Sequence, residues 1–549
     1  MRTAFRRILD RLFTSIAGLS VLIMAAALVM ILGPMVVRGG SAVFFKGTAE
    51  FRRMQLLEFN CGDRETVEAE TATCRQAQKP LWNLIDEFSR GIDTDWLADR
   101  VKKATREYDV QMRNRADANS GLTADEYRNL RRKSRRMRTL MLDALDSTDK
   151  EEALGYVDEL MKSPDAAALE GTAGQELLRI AERYKTTLET VDLSRRAEYE
   201  SALEEVRGLL TRLLGPGPGR KPKADLAQYR YGATRWDKAL ELREELNWME
   251  KWVPDGPGKP LKKVRVFRPD EFKGTKLAAI FPMLDEYLGE MLRPRSTFYW
   301  RYFTQESTPG HFFGGVGPEV LGTLMLTAFA MLLAIPVGIM TAAYLVECTR
   351  ESFVLRVLRT SINTLAGVPS IVFGLFGLAF FVLWLLPLLD LTKGQSVLAG
   401  GLTLGILVLP IIIRASEEAI RAVPQSYKEA SLALGAGGLR TFVVVTLPAA
   451  MPGIMTGVIL AMSRAAGETA PILLTAAVAA STHPWPTSAL KPAPALSYAS
   501  YDMAISDRLA AEVPHNQFGM VLTLVVLVLL LNIVAIVIRS RLSRRLRGA

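Results

Sequence analysis

A chain of 549 residues is too long for one ordinary domain, and its 49% hydrophobic content is spread unevenly, which divides it into a membrane part and a soluble part. The formal net charge of +10 raises nucleic-acid binding, but the arginines cluster at the N-terminus, over Arg350 to Arg359, over Arg414 to Arg440, and in the tail Arg539, Arg541, Arg544, Arg545 and Arg547. With six spans these clusters share one side, which the excess of Lys and Arg makes the cytoplasm, so the charge reports membrane topology rather than nucleic-acid binding.

In chain order, Arg2, Arg6, Arg7 and Arg11 precede a charge-free run, Leu12–Val37. That run is about twice the length of a cleavable signal core and no small-x-small site follows, which predicts a retained signal anchor. Val320–Val346, Ser361–Leu389, Ser396–Ile413 and Phe518–Ile538 are also free of charge for at least 18 residues. Each is long enough to cross a hydrocarbon core of roughly 30 Å as a helix. A sixth span is expected from about Pro452 to about Ala480, although it carries Arg464 and Glu468.

Between Arg38 and Gly315 lie 48 basic and 46 acidic side chains, the composition of a soluble insertion. Ala202, Leu203, Val206, Leu209, Leu210 and Leu213 follow the i, i+3, i+4, i+7 spacing of one buried helix face, and Met137 to Leu145 repeats it. Gly215-Pro216-Gly217-Pro218-Gly219, running on to Lys223, reads as a linker near 214–224, and Pro254 to Pro260 as a second break. Val264 and Val266 alternate with basic residues like a short strand, and Leu277 to Leu292 returns to helix, so the insertion is mostly α. The basic run Arg131, Arg132, Lys133, Arg135, Arg136 and Arg138 reads as a solvated helix face in preference to a site for anionic lipid or ligand.

Cys61 and Cys74 fall outside the membrane by this topology, with twelve residues between them. In an oxidising periplasm such a pair is expected to form a disulfide. Metal binding is the rival reading, but no histidine lies near and the chain has only three. Cys348, at the cytoplasmic end of a span, reads as an unreactive bystander.

The loop between the fourth and fifth spans is the most informative segment. Pro424 is placed to open a helix, Tyr427, Ala430, Ser431 and Leu434 would share one face, and Gly435 suits the left-handed residue that ends it. A short amphipathic helix with an apolar face in need of a partner is predicted. That face either packs on the chain's own spans or meets another subunit.

Glu429-Ala430-Ser431, Gly435 and Leu447-Pro448 resemble the E-A-A, G, L-P signature of binding-protein-dependent ABC permeases, with Ser431 where the family usually has alanine. Gly322-Thr323 through Pro336, Gly338, Tyr344-Leu345 and Glu347 are similar to that family's first conserved span. Ala366-Gly367-Val368-Pro369-Ser370, Phe373-Gly374-Leu375-Phe376-Gly377 and Arg464-Ala465-Ala466-Gly467-Glu468-Thr469-Ala470-Pro471 resemble its phosphate-specific, PstA-type members. The resemblance covers roughly residues 316–549 and the first span. It implies an all-α membrane protein with six transmembrane helices in the type I ABC importer permease fold, plus a mostly α-helical soluble insertion between helices 1 and 2. The expected layout is 1–37, a cytoplasmic N-terminus and the first helix; 38–315, the periplasmic insertion; and 316–549, the permease domain with its coupling loop at 414–446. In the family that loop, here Tyr427, Glu429, Ala430, Ser431, Leu434 and Gly435, docks on a nucleotide-binding subunit. The implied partners are a PstC-type permease, two PstB-type ATPase subunits, a periplasmic PstS-type phosphate-binding protein, inorganic phosphate and membrane lipid, with no nucleic acid. The implied location is a bacterial inner membrane with both termini cytoplasmic.

The substrate pathway is expected at Arg464, Glu468 and Thr469. Arg464 lies about eleven residues into the expected span, near mid-bilayer at about 1.5 Å per residue, with Glu468 one turn further on the same face. A charge at that depth costs at least ~2.5 kcal/mol and ordinarily faces a pathway or a partner. A guanidinium fork suits a tetrahedral oxyanion. The bland alternative is an intrahelical salt bridge that lets the pair sit in the membrane, and both hold if Glu468 retains Arg464 until phosphate competes for it.

No G-x-x-x-x-G-K-[ST] occurs, and Gly256-Pro257-Gly258-Lys259-Pro260 lacks both the spacing and the hydroxyl, so ATP is expected to be used by a partner and no cofactor by this chain. His311, His483 and His515 are scattered, and no nucleophile–base arrangement indicates an enzyme. Two other readings stay open: an ABC permease for another oxyanion such as molybdate or sulfate, and a membrane sensor or scaffold that works through the outer domain.

Overall fold

The computed structural model describes residues 2–117, 123–217, 233–254, 261–308, 311–348, 352–477, 485–505 and 513–546. The chain divides into two compact units: Met1–Phe45 with Thr297–Ala549, and Lys46–Ser296. The division falls inside the expected 38–315 boundaries.

Helix α1 (Arg2–Gly40) is followed by strand β1 (Phe44–Gly47) and the second unit. That unit is built from α2 (Ala49–Phe59), α3 (Arg64–Ile92), α4 (Thr94–Asp117), α5 (Ala124–Asp146), α6 (Lys150–Lys162), α7 (Gln175–Thr190), α8 (Arg196–Leu214), α9 (Trp236–Asn247) and α10 (Ile280–Leu292). Its sheet content is the antiparallel hairpin of β2 (Trp248–Pro254) and β3 (Leu261–Phe267), while β4 (Arg295–Phe298) pairs with β1. Caps fix several of these helices at their sequence signals. Thr123 and Glu126 form a reciprocal capping box at α5, and Asp63 accepts from Thr66 N at 3.0 Å to open α3.

The unit holds two apolar cores. One joins Leu81 and Ile85 of α3 to Leu203, Val206, Leu210 and Leu213 of α8 and to Ile280, Leu284 and Leu288 of α10. The other joins Val101 of α4, Met137 and Met141 of α5, Val157 of α6, and Ile180 and Leu188 of α7. The helix faces read from apolar spacing are therefore the buried ones. The basic run on α5 is met by acidic neighbours, with Arg131 3.6 Å from Asp109, Lys133 3.0 Å from Asp165 and Arg136 3.1 Å from Glu159. Gly215 ends α8 at φ +88°; the rest of the expected linker, 218–224, and the break at 255–260 lie outside the described residues.

The expected Cys61–Cys74 disulfide is absent from the structure. Cys61 Sγ is turned back to Phe59 O at 3.2 Å, beyond the left-handed Asn60 that closes α2, whereas Cys74 is buried on the inner face of α3. The two sulfurs answer to different local packing.

Among the described residues six helices are long and apolar enough to cross a membrane: Leu12–Gly40, Gly317–Cys348, Ser370–Leu388, Val397–Arg421, Gly438–Gly467 and Pro514–Arg544. The second span is α11 (Gly317–Ala343) with a π-helical extension to Cys348. The third begins at Ser370, not Ser361, because Ala366 to Pro369 separates the short amphipathic α12 (Phe353–Leu365) from α13 (Ser370–Gly377). The fourth is α14 (Val397–Arg421), followed by the short α15 (Gln425–Ala433).

The fifth span differs most from expectation. It starts at Gly438, runs through a π-helical stretch, Phe442–Thr446, into α16 (Leu447–Gly467), and stops there instead of continuing to Ala480. Glu468 is extended at ψ 131°, Pro471 helps restart a six-residue helix, α17 (Ala470–Thr475), and α18 (Leu496–Ile505) follows before the last span, α19 (Pro514–Leu546). A glycine lets α16 lie tightly against α14: a Cβ on Gly457 would come within 2.2 Å of Ala415 Cβ.

Candidate functional site

Arg464 and Glu468 form an ion pair, Nε to Oε1 at 3.2 Å. The geometry differs from one face of one continuous helix, because Arg464 stands in the last turn of α16 and Glu468 in the break that follows. Arg464 is 39% exposed and Glu468 20% exposed. Thr469, half-buried, is the residue before α17, and its carbonyl accepts from Leu473 N at 3.1 Å.

Unwound backbone at membrane depth has to find polar partners within the protein. Here it does. Ser497 Oγ of α18 donates to Glu468 O at 3.3 Å, Gln395 Nε2 donates to Leu474 O at 3.2 Å, and Ser396 N donates to Thr475 O at 2.9 Å. Leu496 N donates to Thr323 Oγ1 of α11 at 2.9 Å. A Cβ on Gly322, one residue earlier, would come within 1.9 Å of Pro494 O, so only glycine admits this loop. The arrangement is a discontinuous helix whose break carries an ion pair.

Ser497, Gln395 and Thr323 were missed as support for the site. Their signal in the sequence is the prolines at 484, 486, 492 and 494, which mark a non-helical excursion before α18.

The second feature is α15, preceded by Pro424 and closed by Gly435 at φ +83°, the left-handed position expected of it. No residue of this helix is buried. Tyr427, Glu429, Ala430 and Leu434 are exposed and Ser431 is half-buried; Leu434 reaches 89% exposure. The apolar face thus does not pack on the chain's own spans. Two contacts hold the helix in place: Lys428 Nζ reaches Glu347 Oε1 at 2.5 Å, and the Ser431 and Thr441 hydroxyls are 2.9 Å apart. Thr441 lies at the start of the helical run that ends at Gly467, so α15 is joined by side chains to two spans. Nearby, Arg359 and Arg421 both pair with Glu417, at 3.0 and 2.8 Å.

Of the three histidines, His311 and His515 are far apart in sequence and His483 lies outside the described residues. No group of three or more His, Cys, Asp or Glu residues with metal-binding geometry occurs among the described residues.

Residues 334–548 match the family of binding-protein-dependent transport system inner membrane components. The phosphate transport system permease protein PstA of Yersinia pestis is 36% identical over 228 residues, which cover 42% of this chain and 73% of that protein. The chain belongs to this permease family. The phosphate transport system permease protein PstA 1 of Mycobacterium tuberculosis is 43% identical over 176 residues, or 32% of this chain and 56% of the relative, so the chain spans just over half the length of that relative. A solved structure of the MetNI methionine ABC transporter in inward-facing conformations aligns over 42% of this chain and 94% of its own, at 19% identity and a TM-score of 0.32. Within the permease chain, the matched segment contains α15, the Arg464–Glu468 pair and the break between α16 and α17, and excludes the insertion.

Proposed function

We propose that the chain is the PstA-type half of the membrane pathway of an ATP-driven importer of inorganic phosphate. A PstC-type permease completes the pathway, two PstB-type ATPase subunits drive it and a PstS-type binding protein delivers the anion. The chain lies in a bacterial inner membrane with both termini and α15 in the cytoplasm and the insertion in the periplasm, as the placement of its arginines requires.

One observation carries this reading: an arginine held by a single carboxylate at a helix break inside the membrane unit. In the resting chain Glu468 neutralises Arg464, which offsets the cost of a charge at depth. A phosphate oxyanion offers the guanidinium fork two oxygens where Glu468 supplies one short contact, so it displaces the carboxylate when it arrives. Closure of the ATPase subunits moves α15. The Ser431–Thr441 contact passes that motion into a helical run of 30 residues, about 45 Å long, whose far end carries Arg464. The names of the relatives support phosphate as the anion.

The test is ATP hydrolysis by the assembled transporter in proteoliposomes with its binding protein. Phosphate stimulates hydrolysis and sulfate and molybdate do not. Stimulation by either of those anions, with none by phosphate, overturns the assignment.

A further inference from the structure

Asn532 is the single polar side chain of the last span between Thr523 and Arg539; from Leu524 to Ile538 its neighbours in sequence are apolar. An amide in such a stretch is costly unless another polar group meets it, and polar residues kept within spans ordinarily serve packing or function. Here Ser463 of α16 meets it, its Oγ donating to Asn532 Oδ1 at 2.7 Å. Both side chains are half-buried.

A second contact of the same kind joins the two helices, Arg539 Nη1 donating to Thr456 Oγ1 at 2.9 Å. Thr456 precedes Ser463 by seven residues and Arg539 follows Asn532 by seven. The contacts are therefore rungs of an antiparallel pairing, about two helical turns apart on both α16 and α19. Sliding or turning α16 against α19 breaks both.

The position of the Ser463 rung matters because Arg464 is the next residue. With the Ser463 hydroxyl held against α19, the Arg464 side chain is set about 100° further round α16. The helix ends at Gly467, and a last helical turn frays unless a side chain holds it.

We propose that Asn532 is a positioning residue for the anion site: through Ser463 it fixes the rotation of the last turn of α16, and so the direction in which Arg464 presents its guanidinium. This rests on the reading of Arg464 as the phosphate contact. The rung adds little to the fold itself. A serine hydroxyl has one proton, and Ile459 O, at 2.9 Å, is a second acceptor within its reach. Asn532→Leu therefore leaves the hydroxyl bonded within its own helix and strands no polar group, while the tie between the helices is gone.

The assembled transporter in proteoliposomes tests this, with phosphate imported per ATP hydrolysed as the readout. That ratio does not depend on how much transporter assembles, so a merely structural defect leaves it unchanged. A misdirected Arg464 lowers it, because hydrolysis uncoupled from the anion imports none. Asn532→Leu and Ser463→Ala are each expected to lower the ratio several-fold, the double variant no further than the lower single, and Ser463→Thr, which keeps the hydroxyl, to retain it. Ser463→Ala removes one oxygen and decides alone if the Asn532 variant does not assemble. A wild-type ratio in either single variant, alongside a collapsed ratio in Arg464→Ala, overturns this proposal and leaves the phosphate reading standing. A double variant at the product of the two single effects also overturns it, since the two side chains then act separately. A wild-type ratio in Arg464→Ala overturns both this proposal and the reading beneath it.

Discussion

Arg464 Nε and Glu468 Oε1 lie 3.2 Å apart across the point where α16 ends, so the last residues of one helix and the first of the break are tied by charge. Arg464→Lys keeps the positive charge but loses the planar fork, and phosphate uptake by the assembled transporter is expected to fall about tenfold or more. Glu468→Gln removes the competing carboxylate, and its expected signature is altered affinity for phosphate with normal membrane insertion. Uptake measured against phosphate concentration checks both variants.

Leu434 offers a sharp separation of stability from function. At 89% exposure its replacement by Asp changes the stability of the chain by no more than about 0.5 kcal/mol. The same change puts a charge on the apolar face proposed to meet an ATPase subunit. Expression and thermal stability stay normal while co-purification of the ATPase is lost; retained co-purification with normal uptake argues that α15 docks nowhere.

Glu70 staples the insertion. Its carboxylate, 6% exposed, receives Arg52 Nε at 2.7 Å and Arg295 Nη2 at 3.1 Å, and Arg52 also donates to Gly47 O and Arg293 O. Glu70→Ala takes the carboxylate from the part-buried Arg52, while Arg295 is 62% exposed and already hydrated, so the substitution is expected to cost about 2 kcal/mol. Thermal melting and limited proteolysis of the full chain report the loss.

The cysteines give a test in pH. Burial first, and then the neighbouring Glu70, raise the Cys74 thiol to about 11, from 9.0. A raised thiol stays neutral when folded and ionises when unfolded, so its contribution to stability is complete below pH 9 and is lost as pH rises toward about 11. At pH 8 an alkylating reagent labels the exposed Cys348 and the partly exposed Cys61 in the native chain, and Cys74 only after denaturation. Failure of both Cys61 and Cys74 to label without a reductant indicates a bond between them.

Apolar runs and insertion helices were readable because burial imposes its period directly on the sequence, as Val206 and Leu210 of α8 demonstrate. The break after Gly467 was not, because the residues on both sides of it are apolar and hydropathy does not distinguish one long helix from two short ones. Gly467 and Pro471 are the signal for it in the sequence. β3 was visible in Val264 and Val266, but β2 was not, since Trp248 and Trp252 stand four residues apart with Glu250 and Lys251 between them, a spacing that a helix also accommodates. The Cys61–Cys74 expectation rested on compartment and spacing, and what decides it is the direction of each side chain, which spacing does not encode.

In the proposed mechanism, ATP-driven motion entering at α15 acts on an anion held at Arg464. Its most direct measurement is ATP-dependent uptake of labelled phosphate by proteoliposomes of the assembled transporter carrying Arg464→Ala or Glu429→Lys, each verified as inserted. Both substitutions are expected to abolish uptake, Glu429→Lys through loss of coupling to ATP hydrolysis and Arg464→Ala through loss of phosphate stimulation. Normal uptake by both variants would contradict it.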